Sequence, residues 1–365
     1  MSNEEFCPDW ASAPGDTIAD ILRERGLSER EFARRIGHTP EEAKNLLQGR
    51  ATITIAIARR LERVLGASVE FWMSRDFQYR QDIARLHVSH EEWLAELPVG
   101  DMIKFGWLAP VPHPSEEMDA CLRFFDVPSV GAWREAYGNL QQMAVFRTSP
   151  SLDSRPAAVA AWLRRGEIEA DAIACKPWNA NRFQESLPYI RSLTREKDPS
   201  RFIPELQKCC AESGVAVAIV RCPSGCRASG ATRFLTLDKA LLLLSFRYLA
   251  DDHVWFTFFH EAGHLLLHDK KAFFLEGEDT PSTIEEQEAN EFAARTLVPP
   301  EFLPALLNLR VKSREVIRFA RRLGVSPGVV VGQMQHLGKI RHNQLNGLKR
   351  RYKWENQTSP IPEIS

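Results

Sequence analysis

The chain has no apolar run long enough to cross a bilayer: its longest, "ALLLLSF" and "VWFTFF", fall far short of the roughly 20 residues a spanning helix needs. It lacks an excess of charge of either sign, with Lys+Arg at 47 and Asp+Glu at 48. It also lacks a cysteine framework. The seven cysteines are an odd number in a long chain, Cys209 and Cys210 are adjacent, and Cys222 and Cys226 bracket "PSG" where a zinc knuckle has two residues. These absences exclude a bundle of membrane helices and a disulfide-stapled secreted domain. They leave Cys222/Cys226 as a free-thiol turn in preference to a metal or redox pair. "MSNEEFCPDW" has neither a basic start nor an apolar stretch, so no secretion signal is expected. The expected location is a reducing cytoplasm, with no membrane partner.

The 365 residues, 44% of them apolar, suffice for two or three domains with real cores. The near-zero total charge hides an asymmetry. Arg310–Lys353 holds twelve Lys/Arg against one acid, Glu315, about +11, which leaves the rest of the chain near −12. A basic tail on an acidic body points to a polyanionic partner or to docking on the body itself.

Residues 14–66 read as short helices separated by glycine stops. "PGDTIADILRERGL" offers Asp16 as its N-cap, and "SEREFARRIG" begins on Ser28 with Glu31 three residues on and stops at Gly37. "TPEEAKNLLQG" has Thr39 as cap and Pro40 at its first helical position, and "TITIAIARRLERVLG" adds another helix. Short helices joined by a glycine-containing turn are the helix-turn-helix pattern. Its second helix could present Thr39, Lys44, Asn45, Gln48 and Arg50 to double-stranded DNA. Glu41 and Glu42 oppose phosphate, and ten Lys/Arg against eight acids over residues 16–66 imply modest non-specific affinity.

Residues 68–195 look helical and are often broken by Pro and Gly, with no catalytic constellation. Beyond 205 the period changes to β-like runs, "GVAVAIVR", "TRFLTL" and "ALLLLSF". "DDHVWFTFFHEAGHLLLH" then reads as a buried helix with Asp251 or Asp252 as cap, and "TIEEQEANEFAARTLVP" as a second helix. Near the end, "FARRLGVSPGVVVGQMQHLG" echoes "FARRIGHTPEEAKNLLQG", although Gly328 and Val329-Val330-Val331 look like packing residues.

His260-Glu261-Ala262-Gly263-His264 is H-E-x-x-H. Two imidazoles one turn apart can hold one zinc ion, and the intervening glutamate can reach a water that the metal acidifies. In so apolar a helix, unpartnered polar groups would be costly. A third ligand is wanted from the next helix, among Glu285, Glu286, Glu288 and Glu291. Glu286 is preferred because Asn290 lies one turn below it and can orient a zinc-bound imidazole. Glu285 and Glu288 are expected to face solvent. His268 is expected to be a bystander, since i+8 has drifted about 80° around the helix.

The pair "HEAGH" and "EQEANEFAARTLVP" resembles the ImmA/IrrE family of zinc metallopeptidases, whose pattern is H-E-x-x-H followed by E-x-x-A-N-x-F-A. The front half resembles XRE-type helix-turn-helix proteins, the HigA-like antitoxins in particular. The resemblance implies a multidomain, mainly α chain: a five-helix XRE-like domain, a helical middle region, a small α+β gluzincin-like domain and a basic helical segment. The expected division is a tail over 1–13, the helix-turn-helix domain over 14–84, a linker over 85–195, the peptidase domain over 196–308 and the basic segment over 309–365. It further implies zinc on His260, His264 and Glu286, with Glu261 as general base and Asn290 as orienter. Arg247, Tyr248 and His253 are candidates for stabilising the oxyanion. The implied activity is endopeptidase cleavage of a repressor or antitoxin by a DNA-binding regulator, expected to be a homodimer, in a stress, toxin–antitoxin or phage-defence response. The alternative is a DNA-binding repressor or antitoxin whose peptidase-like domain only senses or binds a partner.

Overall fold

In the computed structural model, residues 10–111, 113–145, 155–268, 274–277, 284–354 and 361–364 are described. The chain is mostly helical. It begins with α1 (Pro14–Glu24), α2 (Glu29–Ile36), α3 (Pro40–Leu47), α4 (Ile55–Leu65) and α5 (Val69–Glu96). There follow α6 (Val99–Lys104), α7 (Pro114–Phe125), α8 (Val130–Val145), α9 (Pro156–Ala172), α10 (Ala180–Leu193) and α11 (Pro199–Ala211). Strands β1 (Val215–Ile219), β2 (Ala228–Thr236) and β3 (Lys239–Leu244) precede α12 (Asp251–Leu267), β4 (Phe274–Gly277) and α13 (Ile284–Leu297). The chain closes with α14 (Leu303–Leu307), α15 (Ser313–Leu323), α16 (Pro327–His336) and the short pair β5 (Tyr352–Lys353) and β6 (Glu363–Ile364). Among the described residues no helix is long and apolar enough to cross a membrane. Contacts divide the chain into two compact units, one ending at Ala95 and taking in 129–131, the other formed by Glu96–Pro128 and the chain from Ala132 onward.

In the first unit, local chemistry sets the helix boundaries. Ser28 accepts the Glu31 N–H at 3.3 Å, and Thr39 accepts the Glu42 N–H at 3.2 Å while Glu42 takes the Thr39 N–H at 2.7 Å. Gly37, at φ 66°, ends α2 in the left-handed region, so a short turn leads into α3. Asp16 is not the N-cap expected of it. Pro14 takes the first helical position, and Asp16, further in, accepts the Ala13 N–H at 3.0 Å. Ile18, Phe32, Ile36, Leu46, Leu61 and Trp72 form the core. The expected boundary at 84/85 falls inside α5, because no Gly or Pro interrupts residues 69–96.

In the second unit the sheet order is β1-β3-β2-β4, with β1 parallel to β3 and the other pairs antiparallel. Alternation sends the strand side chains to two cores. Val215, Val217, Leu242 and Leu244 join the core containing α12, while Ala216, Ala218, Leu241 and Leu243 join Trp162 and Leu163 of α9. Trp162 is buried with its indole N–H on the Val220 carbonyl at 2.8 Å. Helix α9, read from the sequence as part of a linker, therefore covers one face of the sheet.

Residues after 308, read as a separate basic segment, pack in the α12 core through Val316, Phe319, Val329, Val330 and Met334. The second helix-turn-helix echo thus spends on packing the surface that would read a groove. Helix α16 approaches α12 through Gly328, where an added Cβ would lie 2.1 Å from Asp251 Oδ1. Asp251 does not cap α12: it sits in the first turn and accepts the Ser326 hydroxyl at 2.8 Å and the Arg350 N–H at 3.0 Å. Burial pushes its carboxyl up to about 6. Gly328→Ala should lower the thermal unfolding midpoint by several degrees, reflecting about 1–3 kcal/mol of overpacking. Gly347→Ala, which adds its methyl to open space, should leave the midpoint nearly unchanged, with both read by circular dichroism.

Candidate metal centre

Helix α12 is buried along most of its length, with Trp255, Phe258 and Phe259 anchoring it in the core. Its polar residues are buried as well: His260, Glu261 and His264 are at most 2% exposed. Small residues between them let a second helix come close. An added Cβ on Gly263 would stand 3.2 Å from the Ala289 Cα of α13, so Gly263 sets how near Glu286 can approach. Glu286 is 6% exposed, with its carboxylate 3.2 Å from His260 Nε2 and 3.4 Å from His264 Nε2. One ligand atom from each of His260, His264 and Glu286 lies within 4.8 Å of the others, the one group of this kind among the described residues.

The outer nitrogens of both rings are engaged. His260 Nδ1 donates to Asn290 Oδ1 at 3.0 Å. His268 Nε2 donates to Glu288 Oε2 at 3.1 Å, which leaves His268 Nδ1 to accept from His264 Nδ1 at 2.9 Å. These partners fix the tautomers, so the two inner Nε2 atoms, 2.9 Å apart, turn lone pairs toward each other and toward a carboxylate. Three buried electron pairs on one point call for a cation. Burial pushes His264 down to about 4, so its imidazole is neutral at pH 7. Burial alone would raise Glu286, but the His260 and His264 rings against it outweigh that and hold the carboxyl at about 2. Neutral imidazoles and an ionised carboxylate are the forms a metal binds. Two nitrogens and one oxygen are the donor set of an open zinc site.

Glu261 faces the sheet. Its Oε2 accepts the Thr232 hydroxyl of β2 at 3.0 Å. Gly230, on the same strand, admits it: an added Cβ there would lie 2.6 Å from Oε1. Beside it, Ser229, Tyr248, His253, Phe256, Thr257 and His336 help line a cavity of about 270 Å³. Of the three oxyanion candidates, Tyr248 and His253 thus reach this cavity. The Arg247 guanidinium donates to the Arg227 carbonyl.

The sequence reading missed Thr232, which needed the strand register to be found. It also assigned His268 and Glu288 no contact at the centre, although His268 stays outside the ligand group and Glu288 is exposed. Helix α12 ends at Leu267 and His268 turns out of it with φ −115° and ψ 171°, so the drift expected of a continuing helix does not apply. Glu288, for all its exposure, reaches the His268 ring.

In the first unit, Thr39, Lys44, Gln48 and Arg50 are exposed and Asn45 is half-buried. The Thr39 hydroxyl is engaged in the cap of α3.

Residues 214–333 match the IrrE N-terminal-like domain, and residues 18–72 match the helix-turn-helix family. The chain joins a helix-turn-helix domain to an IrrE-like peptidase-family domain. It is also similar to the uncharacterized HTH-type transcriptional regulator YddM of Escherichia coli, 41% identical over 61 residues. That match covers 17% of this chain and 65% of the relative. The IrrE-like domain contains H-E-x-x-H, Glu286, Asn290 and the β2 residues around Glu261, but its match begins after α9, which completes the sheet packing.

His268→Ala removes the partner that orients His264. It should weaken the cluster's affinity for a divalent ion by roughly 10–100-fold, measured with zinc in competition with a chromophoric chelator. Leu267→Ala, beside it but half-exposed and outside the cluster, should not.

Proposed function

We propose that this protein is a DNA-binding transcriptional regulator and a zinc-dependent endopeptidase whose substrate is a regulatory protein of the repressor or antitoxin type. The observation that carries this reading is the convergence of His260, His264 and Glu286 within 4.8 Å, next to a carboxylate buried on the same helix. His260, His264 and Glu286 hold the metal, while Asn290 and His268 orient the two imidazoles. Zinc bound there supplies a Lewis acid that polarises a peptide carbonyl and acidifies a water. Glu261 accepts the proton of the attacking water and hands it to the leaving amine. Thr232 keeps the Glu261 carboxylate turned toward β2, and Tyr248 and His253, which line the cavity, are the candidates to donate a hydrogen bond to the developing oxyanion.

The exposed Lys44, Gln48 and Arg50 support DNA reading by α3, with Asn45 behind them. A chromosomal operator and a cellular regulator as partners place the protein in the cytoplasm, and the two-fold sites that helix-turn-helix proteins often read favour a homodimer.

Glu261→Gln should retain stoichiometric zinc and lose cleavage of the repressor- or antitoxin-type substrate by at least about 100-fold. Cleavage that persists in this variant would sink the peptidase reading. If the wild type leaves that protein intact while holding zinc and binding its operator, the domain is a sensor or partner-binding module. On DNA, Lys44→Ala should weaken binding to all sequences alike and reduce the salt slope by about 1, whereas Gln48→Ala should cost about 1–3 kcal/mol and relax sequence preference. Equilibrium titrations at several salt concentrations separate the two.

A further inference from the structure

We propose that Cys222 and Cys226 form a dithiol that hydrogen peroxide oxidises to a disulfide, at the root of the strand that seats Glu261. The two Sγ atoms are 3.1 Å apart. A tight turn brings them together: the Cys226 N–H donates to the Pro223 carbonyl at 3.0 Å, and Gly225 takes φ +87° at the position where such a turn needs it. The turn is pinned on both sides. Ser224 N–H donates to Asp101 Oδ2 at 2.6 Å, and the Gly225 carbonyl accepts the Arg155 N–H at 2.7 Å. Closing the sulfurs to a bond of about 2.0 Å is a shift of about 1 Å.

The chemistry balances. A thiolate of the pair attacks one peroxide oxygen; the O–O bond breaks, hydroxide leaves and a sulfenic acid forms. The second sulfur, losing its proton, attacks the first; the S–S bond forms as the S–O bond breaks, and water leaves. Two thiols and one hydrogen peroxide become one disulfide and two waters, with sulfur oxidised and peroxide oxygen reduced. Burial pushes the Cys222 thiol up, so the reaction accelerates as pH rises and thiolate becomes available.

The consequence reaches the metal centre through β2. Cys222 Sγ donates to the Ala228 carbonyl at 3.4 Å, alongside the Ser245 hydroxyl at 2.7 Å. Ala228 opens β2, Gly230 lies against Glu261, and the Thr232 hydroxyl holds its Oε2. Disulfide formation removes the Cys222 donor and draws the turn inward, loosening the first residues of β2. This inference stands apart from the peptidase reading, because its readouts are thiols and backbone exchange.

The test treats the full chain with hydrogen peroxide and maps its cysteines by mass spectrometry without reduction. The expected product is a Cys222–Cys226 link, two hydrogens lighter and reversed by dithiothreitol, with faster amide hydrogen exchange over residues 228–236 than in the reduced protein. Cys222→Ser and Cys226→Ser should each abolish both effects. Full alkylation of both thiols after peroxide, links formed only among other cysteines, or exchange over 228–236 unchanged by the disulfide would overturn it.

Discussion

The approach of α13 to α12 at Gly263 is the constraint on which the metal centre depends. Helix α12 alone supplies two imidazoles and one carboxylate in an apolar setting, an arrangement that is expensive without partners. Glu286 reaches the imidazoles only because Ala289 packs against a residue with no side chain. Once the helices touch, Asn290 reaches His260 and Glu288 reaches His268. One contact thus brings the third ligand together with the partner of His260 and the carboxylate that holds His268.

The other face of α12 meets an opposite requirement. Helix α16 presses on its first turns through Gly328, and the buried Asp251 ties Ser326 and the Arg350 backbone to the helix start. The basic residues of the final segment are therefore divided. Lys349 pairs with Asp252 at 2.6 Å, and Arg350 donates to the carbonyls of Thr194 and Glu196. Lys349 and Arg350 are thus spent inside the same unit, while Lys312, Arg314, Arg318, Arg321 and Arg322 remain exposed.

Helix types and most boundaries were legible in the residues themselves, since caps such as Ser28 and Thr39 and stops such as Gly37 act over a few positions. The three long β runs were legible by period, whereas β4 was not: four residues beside β2 carry no pattern of their own. Domain limits were the least legible. Nothing local distinguishes α9, or the helices after 308, from independent segments, because the surfaces they cover come from distant strands and from α12.

For the metal centre, the sequence by itself determined the two histidines, the adjacent glutamate and the preferred Glu286–Asn290 pair, because a helical turn converts fixed spacing into a shared face. Tertiary structure decided what spacing cannot express. It turned His268 out of the helix beneath His264, laid Thr232 on Glu261, and brought the sulfurs of Cys222 and Cys226 together at the foot of the same strand. Those contacts arise where separate elements cross, and the positions of such crossings depend on the packing of the whole unit.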